Sequence, residues 1–396
     1  MAKAKEKKAL EKTGWVSSFT LVGEAKVREE SFQIDEKAEK SDWIYNVMNI
    51  GVDCGEKHGT VYASLSGGYG AERDNVCYVH GKDADGKDDF KNRFTIDWED
   101  RFDESILEDV GDMCFLTVGL EKDKNNKVFY KKFLAPYDAI LYVKEHLETG
   151  MVVNVKGTLK YSMYKGNLNV NKEINSIVLS SKADHPSKYY AKFNQTMLLT
   201  KDSIGEFDKS TGILPIYAKV LDYVKEYKGR EVKTFIPYNK AFEYECDFSK
   251  PDLIQKAIDK LFKVKKGVTE ITFQGDFIAG GTTVTATEDD IPDDIKELIT
   301  LGIYTLEEAL EKCSVNSGRE LRMILRKPNI KLVETDGNMH PVVQKVEQKY
   351  SEEDLILDFM YEDEEDSDAE EVENDLDEAP FDEDTSSDDD SWLQNI

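Results

Sequence analysis

Met151-Val152-Val153-Asn154-Val155-Lys156-Gly157-Thr158-Leu159-Lys160-Tyr161-Ser162-Met163 is the stretch on which the reading of the fold turns. Val153, Val155, Leu159 and Tyr161 alternate with Lys156, Thr158 and Lys160, the period-two signature of a strand with one buried and one wetted face. Tyr164-Lys165-Gly166-Asn167 follows as a turn, and residues 168–170 and 174–179 return as strand. Gly157 in mid-strand predicts a bulge or a sharp bend.

Upstream, residues 16–27, 43–53 and 60–68 are β-rich, with Cys54 to Gly59 as the turn between the last two. A charged insertion at about 81–112 interrupts the strands, which resume at 113–120 and 128–134. Ile140, Leu141, Val143 and Leu147 predict a helix over 137–147, ended by Gly150. Several strands, one helix and a long bent hairpin is the order expected of an oligonucleotide/oligosaccharide-binding (OB) barrel. Downstream, a polar stretch carrying Pro186 marks a boundary and the plan repeats. Strands are expected at 213–224 and 232–237, a helix at 253–262, and a hairpin of 269–279 with 282–287 through Gly280-Gly281. Two short helices at 293–301 and 306–312 and closing strands at 320–325 and 330–333 follow. Val155-Lys156-Gly157-Thr158-Leu159 precedes Phe273-Gln274-Gly275-Asp276-Phe277 by 118 residues in the same frame. The expected fold is mainly β with short helices, two OB barrels in tandem and a disordered acidic tail. Its divisions are a basic arm (1–13), a first barrel (14–182), a linker (183–193), a second barrel with C-terminal helices (194–345) and the tail (346–396). The arm holds too little apolar surface to dock firmly and reads as a frayed leader or a contact for nucleic acid.

The formal charge of −28 divides unevenly: 22 of the 80 acidic residues lie between Glu352 and Asp390, and no Lys or Arg follows Lys349. Residues 1–350 therefore hold 58 acidic against 52 basic residues, a net of −6, which leaves room for a local basic groove. The tail has too little apolar surface to offset its chain entropy. Residues 355–361 form an apolar root that reads as a docking helix. The tail ends in an apolar tip, Asp388-Asp389-Asp390-Ser391-Trp392-Leu393-Gln394-Asn395-Ile396. No run has the roughly 18–20 apolar residues of a membrane-spanning helix, and no signal peptide is read at the start. Five cysteines without C-x-x-C spacing point to a reducing, intracellular setting.

The sequence shows no Walker loop, G-x-G-x-x-G or G-x-S-x-G, and calls for no catalytic residue and no cofactor. Patterns such as Glu231-Val232-Lys233 are expected by chance in so acidic a chain and carry little weight for a metal-dependent nuclease. Cys54 with His58, and Cys77 with His80, have the residue types and spacing of two halves of a zinc site. Against that stands the bland reading, that the Cys54–His58 turn is merely exposed. Aromatic and basic residues interleave on the expected strands, the texture of single-strand binding, where rings stack on bases and cations hold phosphates. The candidates are Tyr62, Tyr69, Tyr130, Lys132, Lys156, Lys160, Tyr164, Lys165, Lys172, Lys219, Tyr223, Lys225, Tyr227 and Arg230. Phe133 and Tyr161, in the same stretches, fit a packed core better.

The hairpin over 150–179 and the closing Asp388-Asp389-Asp390-Ser391-Trp392-Leu393 together resemble the single-stranded DNA-binding proteins of tailed phages, and more loosely those of bacteria. That resemblance implies an OB barrel coating single strands in DNA replication, recombination and repair, without enzymatic activity. It also implies a tail that competes with DNA and recruits partner proteins through Asp388, Asp389, Asp390, Trp392, Leu393 and Ile396. A cytoplasmic setting, that of a bacterial host for a viral protein, and self-association on DNA belong to the same expectation. The alternative is an acidic DNA mimic that inhibits or scaffolds a nucleic-acid enzyme; its folded body would not bind oligonucleotide.

Overall fold

A computed structural model describes residues 7–360, apart from 165, 183–184, 210, 228, 247–248, 336–337 and, within 280–320, all but 296, 299 and 305. The chain opens with β1 (Ser17–Lys26), β2 (Phe32–Lys37), β3 (Trp43–Asp53) and β4 (Thr60–Gly70). The hairpin β5 (Val76–Lys82) and β6 (Asp88–Asp97) and a single turn of helix, α1 (Glu104–Leu107), form the insertion. Then come β7 (Leu116–Lys122), β8 (Val128–Phe133), α2 (Pro136–His146), β9 (Val152–Tyr164) and β10 (Asn167–Leu179).

Five of these strands close a ring. β1 pairs antiparallel with β3 and β9, β3 with β4, and β9 with β10, while β4 meets β10 in parallel with Glu173 opposite Ser64. A ring in which the third and fifth strands run parallel, with a helix between the third and fourth, is the OB barrel. β9 shows how the sequence builds it: Val153, Val155, Leu159 and Tyr161 are buried while Lys156 and Lys160 face water. At Gly157 a Cβ would overlap the Glu173 carbonyl oxygen and fall 2.6 Å from the Phe19 ring, so only glycine lets three strands cross there. The bulge lies on the partner strand: Ile174 faces Gly157 and Ser176 faces Lys156, leaving Asn175 as the extra residue.

The second half repeats this strand for strand. β11 (Tyr190–Leu199), β12 (Ile213–Tyr227), β13 (Arg230–Glu245), α3 (Pro251–Leu261), β14 (Val268–Ala279) and β15 (Leu321–Pro328) close a second ring, again with one parallel pair, β13 with β15. Gly275 takes the place of Gly157: a Cβ would overlap the Phe193 ring and the Ile324 carbonyl oxygen. Arg326 takes the place of Asn175 as the extra residue, since Gly275 faces Leu325 and Gln274 faces Lys327. The two barrels share one sheet, because β1 and β11 pair antiparallel with Phe19 opposite Phe193. Phe19 and Phe193, each over its own ring's glycine, belong to one apolar core that runs through both barrels. Polar ties reinforce the seam: Asp222 of β12 accepts the Tyr161 N–H at 2.6 Å and the Lys12 ammonium at 3.0 Å. Lys57, in the β3–β4 turn, reaches Asp276 of β14 at 2.8 Å.

β16 (Ile330–Thr335) and β17 (Asn338–Val343) form a separate hairpin, and β18 (Lys345–Tyr350) adds to the edge of β14. Four expectations change. The partner of β14 is β15, beyond residue 320; the strand expected at 282–287 and the helices at 293–301 and 306–312 fall almost wholly outside the described residues. β11 begins at Tyr190, inside the stretch read as linker. Ordered chain runs past residue 346 through β18 and two short 3-10 turns, Glu352–Leu355 and Asp358–Met360, in place of a docking helix. The basic arm docks: Leu10 is 7% exposed, in a cluster with Trp15, Leu198, Leu221, Val268, Tyr350 and Leu355. Lys7 pairs with Asp358 at 2.6 Å, and the Lys8 N–H donates to Asp354 at 2.8 Å. Few apolar residues suffice because both ends of the chain contribute to one patch.

Candidate nucleic-acid interface

The β9–β10 hairpin presents its outer face as two parallel strips. On β9 these are Lys156, Thr158, Lys160, Ser162 and Tyr164, the last 51% exposed. On β10 every second residue, Asn167, Asn169, Asn171, Glu173 and Asn175, is exposed. Asn171 sits opposite Lys160, and Asn169 opposite Ser162. Amide side chains donate and accept at once, so this strip meets bases and phosphates alike. The asparagines were not singled out from the sequence, although their period of two was a visible signal.

Cross-strand partners in a sheet point to the same side. Following them outward from Lys156 gives a row: Lys156 faces Ser176, Ser176 faces Thr117, and Thr117 faces Lys132 on the edge strand β8. In the other direction Lys156 faces Thr20 of β1, and Thr20 faces Lys192 of β11. Three lysines thus lie in one line across the seam between the barrels. Strand spacing puts Lys132 about 14 Å and Lys192 about 10 Å from Lys156. Hydroxyl side chains fill the intervals. Part of this row floors a groove of about 950 Å³ with Ser18, Lys156, Thr158, Asn175 and Asn194. Its walls include Phe115 on one side and Ile330, 66% exposed, with Leu332 on the other. Lys192 was missed by the sequence reading, because nothing local tells that β11 continues the sheet of β1.

The remaining candidates scatter. Tyr130 is 57% exposed on β8, its ring over Gly119. Lys132 holds Asp112 at 2.8 Å, and that contact keeps the Asp112 carboxyl below the usual carboxylate range. Tyr62, half-buried, lines a separate cleft with Lys26 and Arg28. Tyr69 packs between Trp98 and Tyr137, with centroids 5.3 Å away on each side. Trp98 carries the Arg101 guanidinium at 4.1 Å, and Phe102 lies beyond it, 54% exposed, a stacking surface the charged look of 81–112 concealed. Lys172 is 9% exposed against Phe277 of the second barrel, where burial pushes its ammonium down to about 8; this is a core position and not a groove one.

On the second barrel, Lys219 donates to Asn239 at 2.8 Å, Tyr223 meets Phe235 edge-on, and Tyr227 meets Phe359 edge-on. Lys225 is half-buried and Arg230 exposed near the hairpin end. Leu221 is covered by Leu10, Trp15, Tyr350 and Leu355, with Phe235 packed against the same cluster. The chain's own ends therefore overlie part of the strand surface that carries these candidates, while the first barrel's hairpin stands open. Lys165 and the tip residues Asp388, Asp389, Asp390, Trp392, Leu393 and Ile396 lie outside the described residues.

The zinc candidates do not converge. Cys77 and His80 are three apart on β5, so their side chains leave opposite faces of the strand. His58 is buried with Nδ1 2.8 Å from the Phe277 carbonyl oxygen, and the Cys54 thiol is buried too. Among the described residues no group of three or more His, Cys, Asp or Glu side chains is placed to hold a metal ion.

No protein-family model matches the sequence, and no curated protein matches it. Two solved structures of the single-stranded DNA-binding protein from Thermus aquaticus are similar in part. A deletion mutant is 8% identical, covers 67% of this chain and 87% of its own, and superposes with a TM-score of 0.30. The wild-type protein is 9% identical over 67% of this chain and 86% of its own, with a TM-score of 0.27. Likeness at that level carries no argument about function, which rests on the geometry above.

Proposed function

We propose that the chain is a non-enzymatic, sequence-tolerant single-stranded DNA-binding protein serving DNA replication, recombination and repair. The observation that carries this reading is the row Lys132–Thr117–Ser176–Lys156–Thr20–Lys192, which crosses two OB barrels in one unbroken sheet. Cations at intervals, with hydroxyls between, suit a flexible phosphate backbone; they carry no base-edge code, so sequence tolerance follows. Tyr164 and Phe115 at the flanks offer rings for stacking, worth about 1–3 kcal/mol per base. The acidic residues beyond 360 compete for the same lysines, and the tip with Trp392 and Leu393 is the part offered to partner proteins.

A titration of oligo-dT against duplex DNA across salt concentrations tests the reading. The expected result is preference for the single strand, with affinity falling linearly in log salt at a slope of about −0.7 per neutralised phosphate. Equal affinity for duplex, or no binding, would refute it.

A further inference from the structure

The hairpin β16–β17 is a two-stranded sheet of its own, apart from the sheet the barrels share, and it turns apolar side chains to water. Ile330 and Leu332 are two apart on β16 and so leave the same face of the strand. Across the hairpin Leu332 faces Pro341 and Glu334 faces Met339, which puts Pro341 and Met339 on that face too. Ile330, Leu332 and Met339 are 66, 63 and 58% exposed. The core takes only Val343, near the hairpin's root, so folding does not account for the others. Apolar side chains gathered on one exposed face mark a surface that meets a ligand or a partner.

The place where the hairpin is rooted indicates which. The Asn329 N–H donates to the Thr272 carbonyl at 2.8 Å, and the Thr272 N–H donates to the Gln344 carbonyl at 3.2 Å. Thr272 of β14 lies opposite Thr196 of β11, their hydroxyls 2.8 Å apart. Every second residue back along β11 from Thr196 gives Asn194 and then Lys192, the end of the lysine row. Asn194 heads a row of its own: it faces Ser18, and Ser18 faces Thr158. One side of the sheet thus carries three bands about 7 Å apart. Lysines form the first, amide and hydroxyl groups the second, and the root of the apolar hairpin the third. Ile330 and Leu332 line the same groove as Lys156, Ser18 and Asn194. Charge, then hydrogen-bonding groups, then apolar surface is the order of chemistries met on crossing a nucleotide from its phosphate to the face of its base.

We propose that the β16–β17 hairpin is the base-holding wall of the single-strand site, with Ile330, Leu332 and, further out, Met339 lying against the nucleobases whose phosphates the lysine row holds. Ile, Leu, Met and Pro side chains pack against unstacked base steps in other nucleic-acid complexes. Such contacts read no base identity. The inference rests on the single-strand reading and adds to it an apolar contact that salt does not screen.

The test compares the full chain with its Ile330→Ser/Leu332→Ser variant, binding oligo-dT and an abasic strand of the same length. Both side chains are exposed, so the variant should keep the parent's urea midpoint. Oligo-dT affinity is expected to fall about tenfold, the scale of two aliphatic side chains losing their cover. The salt slope should not change, because no charge is removed. The abasic strand should bind parent and variant alike. Unchanged oligo-dT affinity, or an equal loss on the abasic strand, would overturn the inference and leave the single-strand reading standing; a parent that does not bind oligo-dT ends both. Tighter binding by the variant would assign the hairpin to the chain's own acidic tip, and lost self-association in sedimentation at unchanged affinity would assign it to a second copy; either rejects the base contact. If the variant does not fold, photo-crosslinking of the parent to a 4-thiothymidine strand decides. Base-linked adducts within 330–343 support the wall, and their absence rejects it.

Discussion

Lys172 offers a sharp test of the fold, because its burial depends on the two barrels being packed as described. It sits on β10 with its ammonium 5.9 Å from the centre of the Phe277 ring, donates to the Val170 carbonyl at 3.3 Å, and has Lys240 nearby. Burial lowers its pKa from 10.5 to about 8. In the unfolded chain the group keeps the higher value, so between pH 8 and 10.5 the unfolded state binds more protons and stability rises with pH. A shift of that size is worth about 3 kcal/mol, and below pH 8 the folded protein carries the full cost of a buried charge. Lys172→Met removes the charge with a side chain of similar length. It also loses one hydrogen bond, worth about 1 kcal/mol. The net expectation is a gain of about 1–3 kcal/mol at pH 7 that largely disappears near pH 10.5. Urea denaturation of both proteins at the two pH values measures it. A variant less stable than the parent at pH 7, or a difference that does not change with pH, would refute the reasoning. The same substitution should leave oligo-dT affinity unchanged, as a core position and not a groove one.

Other outcomes follow from the same geometry. Gly275→Ala should destabilise by more than about 2 kcal/mol in urea, since its Cβ has no room between the Phe193 ring and the Ile324 carbonyl; a change under about 0.5 kcal/mol would contradict the crossing described. Lys156→Ala should weaken oligo-dT binding and make the salt slope shallower by about 0.7, and an unchanged slope would remove Lys156 from the interface. Leu10→Ala should cost about 2 kcal/mol of stability because the arm closes an apolar cluster, and an unchanged midpoint would return the arm to the status of a leader. Removing residues 361–396 should tighten single-strand binding at low salt, with the effect fading as salt screens the charges; equal or weaker binding would end the competition idea.

What the sequence disclosed was local. The alternation in β9 marked its buried face residue by residue, and Gly157 and Gly275, in matching frames, announced the duplication that the two crossings display. What it concealed was set by distant chain. Lys172 looks like a groove residue until Phe277 of the other barrel covers it. Residues 1–13 look too poor in apolar side chains to dock until Leu10 meets Trp15 and, from far along the chain, Tyr350 and Leu355. Gly280-Gly281 reads as a turn directly after β14, yet β14 pairs with a strand more than forty residues later, and no short-range rule gives that register. Among the candidate residues, the shared exposed face of Lys156, Lys160 and Tyr164 was legible because they alternate on one strand. The row that unites Lys156 with Lys132 and Lys192 exists only in the paired sheet.

The pairing of β1 with β11 has a consequence for how the chain comes into being. Residues 17 to 22 are hydrogen-bonded on one side to β9 and on the other to β11. A ribosome delivers the first ring complete at residue 179, before β11 exists. During that interval the outer edge of β1 is an unsatisfied row of amides and carbonyls, a ready template for a second nascent chain. Synthesis must run about twenty residues further before the edge finds its own partner. The order in which the halves emerge therefore sets a window of risk, and chains stalled within it should associate with one another where the finished protein does not.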